Sequence, residues 1–288
     1  MKYDQTYIGF VGLGAMGSVM APLISRAGFN LITFDKAVKI RTEKNLLQAK
    51  SLNDLLNCNF IFLMLPDGIV VREIALELVT NGFKGQLIDM SSCDPNQTIE
   101  LGNLLKTHGI SLIDAPVSGG VKKAALGSLM IMVGGRKENL SNVKSLLDLL
   151  GTVVHIGPLG AGHAMKALNN YVSASGLLAS MQALATAETY GIKPQSFIDV
   201  INDSTGKNNS TEVKLKPYVI PRSYSSGFSL KLMTKDVEVA SLIMQNGGFS
   251  TPLSDQLPHF LKNALESLES NADHTALYEH INPKKHNS

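Results

Sequence analysis

The stretch IGFVGLGAMGSVM, residues 8–20, limits what this chain can fold into more than any other. A short apolar run leads straight into Gly12-x-Gly14-x-x-Gly17, and an amphipathic segment, GSVMAPLISRAG, follows at once. Glycines at this spacing between a strand and a helix make a tight turn. Gly12 permits the turn, Gly14 lets a pyrophosphate approach the backbone, and Gly17 lets the helix pack on the strand. The helix start then offers its N–H groups and the positive end of its dipole to the phosphates. The loop Gly12–Gly17, with Leu13, Ala15 and Met16 between the glycines, is therefore expected to hold a dinucleotide.

Asp35 ends the next strand pattern, LITFD, eighteen residues after Gly17. An acid at about that distance holds an adenosine ribose by its 2′-hydroxyl and repels a 2′-phosphate, so NAD is favoured over NADP. Lys36 beside it would partly offset that charge.

Residues 8 to about 156 alternate apolar runs (IGFV, LITF, FIFLML, QLID, SLIDA, LMIMV, VVHI) with amphipathic segments such as DGIVVREIALELV. This alternation predicts a doubly wound, mostly parallel α/β sheet of the Rossmann kind. From Gly162 to Gly191 there is no proline, and alanine, leucine and methionine dominate. A helix over 162–190 would be about 40 Å long, enough to leave one domain and cross another. Beyond it only helical patterns follow, at Pro194–Asn202, Ser229–Asn246 and Pro252–Leu268. The expected division is an NAD-binding domain over 1–161 and an all-α domain over 162–288. The tail after Ile281 is expected to be disordered.

The bulk properties exclude several classes. A formal charge of +2, with no basic block except PKKH near the end, leaves no electrostatic footprint for nucleic acid. Cys58 and Cys93 suit a reducing compartment rather than a disulfide framework. No apolar run spans a membrane and no signal-peptide layout is present, so the expectation is a cytoplasmic protein. The seven histidines are scattered without ligand spacing, which predicts no metal site; His163 is the one near other candidate residues. Serine-nucleophile chemistry lacks its G-x-S-x-G elbow.

Four further stretches narrow the reading: MLPDG at 64–68, IDMSSCDP at 88–95, DAPVSGG at Asp114–Gly120, and GHAMKALNN at Gly162–Asn170. With KLMTKD at 231–236 and the late DHTALY, they resemble the β-hydroxyacid dehydrogenases. That group includes 3-hydroxyisobutyrate dehydrogenase and the tartronate and succinic semialdehyde reductases. The resemblance implies that Leu65, Pro66 and Ser92 wall the cofactor and that Lys235 lies near its nicotinamide end. It implies that Ser118, Gly119, Gly120 and Asn169 bind substrate, that Lys166 is the catalytic lysine, and that Asn170 is its substrate-holding partner. A homodimer or homotetramer is implied as well. One segment departs from the pattern: STGKNNSTE, residues 204–212, is more polar than the matching segment of 3-hydroxyisobutyrate dehydrogenases. Lys207, Asn208 and Asn209 there could hydrogen-bond a polar substrate group, or form a polar loop over nothing.

The residue types suit this chemistry. Oxidising a 3-hydroxy acid sends hydride from the carbinol carbon to nicotinamide and a proton to a base. A lysine can serve if its pKa falls from about 10.4 toward the working pH. Met165, Ala167 and Leu168 suggest desolvation of Lys166, and an early helix position disfavours the ammonium further. Asn170, at i+4, shares its helix face and can hold the reacting oxygen. VSGG supplies unobstructed N–H donors for a carboxylate. Asp236 reads equally as an ion-pair partner of Lys235 or as a surface acid. Two other readings are an imine reductase, whose members usually replace the catalytic lysine, and a dinucleotide-binding protein without turnover. The length argues against a 6-phosphogluconate dehydrogenase.

Overall fold

The computed structural model describes residues 7–283. Residues 284–288, most of the tail expected to be disordered, lie outside the described residues. The chain divides into two compact units, Met1–Lys166 and Ala167–Ser288.

The first unit is built on a nine-stranded sheet. Strands β1 (Tyr7–Val11), β2 (Asn30–Phe34), β3 (Leu46–Gln48), β4 (Phe60–Leu63), β5 (Gln86–Asp89) and β6 (Ser111–Asp114) lie in the order 3-2-1-4-5-6, all parallel. Two antiparallel pairings close the far side: β8 (Leu129–Gly134) pairs β6 and β7 (Val117–Ser118), and β9 (Gly151–Gly157) runs parallel to β8. The order reverses at β1, where strands lie to either side of the glycine loop. Ligands of open α/β sheets bind at such a switch point, beyond the strand C-termini.

Strand residues bury side chains on both faces, as a sheet covered by helices on both sides requires. Ile8, Phe10, Phe62 and Ile88 enter one core with helix α1 (Gly17–Arg26). Val11, Ile61, Leu63 and Leu87 enter the other with α2 (Gly68–Thr80) and α3 (Pro95–Thr107). The unit also holds α4 (Gly120–Ala125) and α5 (Lys137–Leu147). Strands β3 and β7 escape a reading by pattern because they are three and two residues long, too short to show any period.

Helix α6 (Ala161–Thr189) begins in the first unit and continues through the second. The second unit is all helical: α7 (Pro194–Asn202), α8 (Asn209–Val213), α9 (Leu230–Asn246), α10 (Pro252–Ser267) and α11 (Leu277–Ile281). Its core gathers Leu177, Met181 and Leu184 of α6 with Met233 and Val237 of α9 and Leu257 and Leu261 of α10. A turn of π-helix, Leu215–Val219, lies between α8 and α9. No helix among the described residues is long and apolar enough to cross a membrane.

Candidate active site

The glycine loop has the shape its spacing predicts. Gly12 has φ +96°, in the left-handed region, and a Cβ there would lie 2.2 Å from the Met64 carbonyl oxygen. A Cβ on Gly17 would lie 1.9 Å from the Gly12 carbonyl oxygen, so the helix packs on the turn as closely as glycine allows. Gly14 faces open space, with nothing within 4 Å of its added Cβ. Ala15 is exposed, Met16 half-buried, and Leu13 buried beneath the loop. Helix α1 starts with no side-chain cap, whereas Asp67 caps α2 and Asp94 caps α3. The Ser18 and Val19 N–H groups turn back to the Gly14 and Met16 carbonyls at 3.0 and 3.1 Å, and an uncapped helix start beside an open glycine suits a pyrophosphate.

Asp35 is half-buried at the end of β2. One carboxylate oxygen accepts from the Leu13 N–H at 2.6 Å, the other from Ala37 and Val38 at 2.8 Å each. Burial pushes its carboxyl up, but the three N–H groups outweigh that and hold it below the usual carboxylate value. The acid therefore ties the second strand to the glycine loop, a structural task its sequence position did not reveal. Lys36 is exposed.

Leu65 is half-buried and Pro66 exposed in the turn after β4, and the Leu65 N–H donates to the Ser91 hydroxyl at 2.9 Å. Ser92 is half-buried in the turn after β5. Ser118 pairs with Met130 in the sheet, and Gly119 and Gly120 follow, exposed, with φ +137° and +68°. Two successive residues in that region require glycine, so VSGG presents bare backbone.

Lys166 is half-buried on α6, with Ala167 buried and Met165 41% exposed. It is the sixth residue of the helix, beyond the turn where the dipole acts most strongly. Asn170 is buried on the same helix face. Its amide donates to Asp236 Oδ2 at 2.5 Å, and its Oδ1 accepts from the Asn169 amide at 3.1 Å. These bonds set which end of Asn170 is oxygen and which is nitrogen. Asp236, on α9, is 3% exposed and also lies 3.7 Å from the Lys235 ammonium. The residue that read equally as ion-pair partner or surface acid is thus buried against Asn170. Its signal was only its place in KLMTKD.

The start of α6 is pinned by groups the sequence did not connect. Asp114, fully buried at the end of β6, accepts from the N–H groups of Gly160 and His163, both at 2.8 Å. The buried His163 ring meets Thr98 Oγ1 at 2.8 Å and donates from Nε2 to the Ser91 carbonyl at 3.2 Å. A carboxylate on the first N–H groups of a helix both satisfies them and complements the dipole. His163 also forms, with Asp89 and Cys93, a buried trio whose ligand atoms lie within 4.8 Å of one another. A cation there would have to displace the bonds that His163 already makes.

The polar segment makes its bonds within the helical unit. Asn208 caps α8, and its amide donates to Ser180 of α6 at 3.0 Å, while Lys207 pairs with Glu212 at 2.8 Å on the surface. Ser180 is ten residues, about 15 Å along the helix axis, from Asn170. Asn208 is consumed in capping and Lys207 faces its own acid, so neither is free to hold a group presented at Asn170.

The family comparisons agree with this geometry. Residues 7–157 match the family described as the NAD binding domain of 6-phosphogluconate dehydrogenase, and residues 160–281 match that described as NAD-binding of NADP-dependent 3-hydroxyisobutyrate dehydrogenase. The mitochondrial 3-hydroxyisobutyrate dehydrogenase of Drosophila melanogaster is 31% identical, over 96% of this chain and 90% of its own. The 2-(hydroxymethyl)glutarate dehydrogenase of Eubacterium barkeri is 31% identical over 86% and 85%. A structure of Mycobacterium tuberculosis 3-hydroxyisobutyrate dehydrogenase with L-serine superposes with a TM-score of 0.87 at 29% identity, covering 96% of this chain and 99% of the other. With an NAD-binding domain in its first half and that family's helical unit in its second, the chain belongs to the 3-hydroxyisobutyrate dehydrogenase-like group of β-hydroxyacid dehydrogenases.

Proposed function

We propose that the protein oxidises the 3-hydroxyl of a small 3-hydroxy acid to the semialdehyde, or reduces that semialdehyde, with NAD(H) rather than NADP(H). The observation that carries this reading is the pairing of Lys166 and Asn170 on one face of α6, with the Asn170 amide locked by Asp236. In this reading Lys166, as the free amine, takes the hydroxyl proton during oxidation and returns it during reduction. Asn170 holds the reacting oxygen through what its bonds to Asp236 and Asn169 leave unused. Gly119 and Gly120 supply backbone donors to the substrate carboxylate, with the Ser118 hydroxyl beside them.

The cofactor, when bound, accepts or delivers the hydride at its nicotinamide ring. The residues fit it: Gly14 leaves room, α1 starts uncapped, and Asp35 stands where a ribose hydroxyl would be read. Leu65, Pro66, Ser92 and Lys235 complete the cofactor assignment. The same reading has a domain boundary at 161/162, a cytoplasmic location and a homodimer or homotetramer. Exposed apolar residues of the helical unit, among them Val172, Val200 and Phe249, support association.

The test is a panel of C3–C5 3-hydroxy acids and semialdehydes with both cofactors, following reduced nicotinamide, in the wild type and Lys166→Met. Loss of a general acid–base group should lower kcat by about 10²–10⁴ and remove the alkaline rise of alcohol oxidation. NAD affinity should stay. Near-normal turnover by Lys166→Met would return this lysine to a structural role and defeat the mechanism.

A further inference from the structure

Lys214 joins α8 to the π-turn, and its backbone is bonded on both sides, Lys214 N to the Ser210 carbonyl at 3.0 Å and Tyr218 N to its own carbonyl at 3.1 Å. Its half-buried side chain donates to the Ser173 hydroxyl at 3.2 Å. Among the described residues no carboxylate lies within ion-pair distance of this ammonium. The carboxylate that attracts it from further off, Asp273, is already taken up by Ser226, Thr275 and the N–H groups of Gly227 and Phe228. Burial pushes the Lys214 ammonium below the usual lysine value, and Asp273 offsets this only in part. A half-buried cation with two unused donors and no counter-charge is an unfavourable arrangement unless a ligand completes it.

Its position says which ligand. Ser173 follows Asn170 by three residues and Lys166 by seven, so the three side chains form one stripe along α6. The step from Asn170 to Ser173 is about 4.5 Å along the axis. A carboxylate four carbon–carbon bonds from a carbinol carbon lies about 5 Å away, with bonds of about 1.5 Å. A substrate whose reacting oxygen rests on Asn170 can therefore extend a second carboxylate to Lys214. A 3-hydroxy monoacid would leave the ammonium unmatched.

We propose that Lys214 binds a second carboxylate, and that the preferred substrates are 3-hydroxy diacids rather than monoacids. This rests on Asn170 holding the reacting end, as in the function proposed above. The experiment compares kcat/KM for 2-(hydroxymethyl)glutarate and 3-hydroxyisobutyrate, with NAD, in the wild type, Lys214→Met and Lys214→Arg. The wild type should favour the diacid. Lys214→Met should lower the diacid-to-monoacid ratio by about 10–100-fold, mainly through KM, as loss of a charge-assisted hydrogen bond does. Lys214→Arg should retain most of the preference.

A wild type that prefers the monoacid, or a Lys214→Met ratio equal to that of the wild type, overturns the assignment. Thermal shifts of the NAD-loaded wild type by glutarate and by butyrate give a readout without turnover or a variant. Glutarate should stabilise the protein at lower concentration, and equal effects of the two would also overturn the proposal. Turnover of the monoacid that is lost in Lys166→Met would leave the proposed reaction standing even then.

Discussion

The side-chain amide of Asn170 donates to a carboxylate oxygen of Asp236 at 2.5 Å, and both residues are buried. The amide to which the proposed function gives the substrate oxygen is thereby fixed in rotation by a carboxylate sixty-six positions away. Asp236→Ala should lower kcat/KM by about 10–100-fold, the usual scale for a hydrogen bond to a charged partner, without moving the pH profile. Asn170→Ala should act similarly. The double variant should then cost little more than either alone, because both remove one interaction. Additive losses in that cycle would show that Asp236 acts on something other than Asn170.

The glycine loop separates stability from binding. Gly14→Ala meets no atom within 4 Å and should keep the wild-type melting temperature while weakening NAD binding at least tenfold. Gly17→Ala drives a methyl against the Gly12 carbonyl oxygen and should lower the melting temperature outright. Thermal melts and fluorescence titration with NADH distinguish the two. Equal melting losses in both variants would contradict the open space at Gly14.

Asp35 should set the cofactor choice. In Asp35→Asn the ratio of kcat/KM for NAD over NADP should fall, since the charge opposing a 2′-phosphate is gone. The same carboxyl is held below its ordinary value by backbone donors, so it favours the fold above the unfolded-state pKa and loses that contribution as pH falls through the folded value. Asp35→Asn should therefore flatten the acid limb of the stability curve. A wild type that prefers NADP would refute the cofactor assignment.

His274 should give a second pH signature. Burial, then the Lys214 cation, pushes its imidazole from 6.5 down to about 4, while the Phe228 carbonyl fixes the proton on Nδ1. The unfolded chain takes up this proton below about pH 6.5 and the folded chain does so only near pH 4. The contribution is thus complete above pH 6.5 and is lost as pH falls toward 4, by up to roughly 3 kcal/mol. His274→Asn keeps a donor for the carbonyl and should remove that part of the slope in denaturant melts taken from pH 7 to 4. An unchanged slope would place the imidazole outside the core in solution.

What the sequence determined by itself is what depends on neighbours in the chain. The turn at Gly12–Gly17, the alternation of apolar runs with amphipathic segments, and the proline-free run that became α6 are local patterns, and each appears where its spacing places it. The shared face of Lys166 and Asn170 follows from helix periodicity alone. Even the short α8 had its signal in Asn208 and Thr211, a capping box.

Tertiary structure decided which distant groups meet. Asp236 joins Asn170, Asp114 takes the N–H groups of Gly160 and His163 at the start of α6, and Asp35 reaches back to Leu13, pairings between residues far apart in sequence that leave no periodic trace. The same holds for Lys207 and Lys214, alike in a sequence of scattered charges. Lys207 finds Glu212 at the surface, while the path of the chain past α6 lays Lys214 against Ser173. Periodicity reports which face of an element is apolar. It does not report what packs on that face, and a buried charge is resolved only by the partner that the fold brings to it.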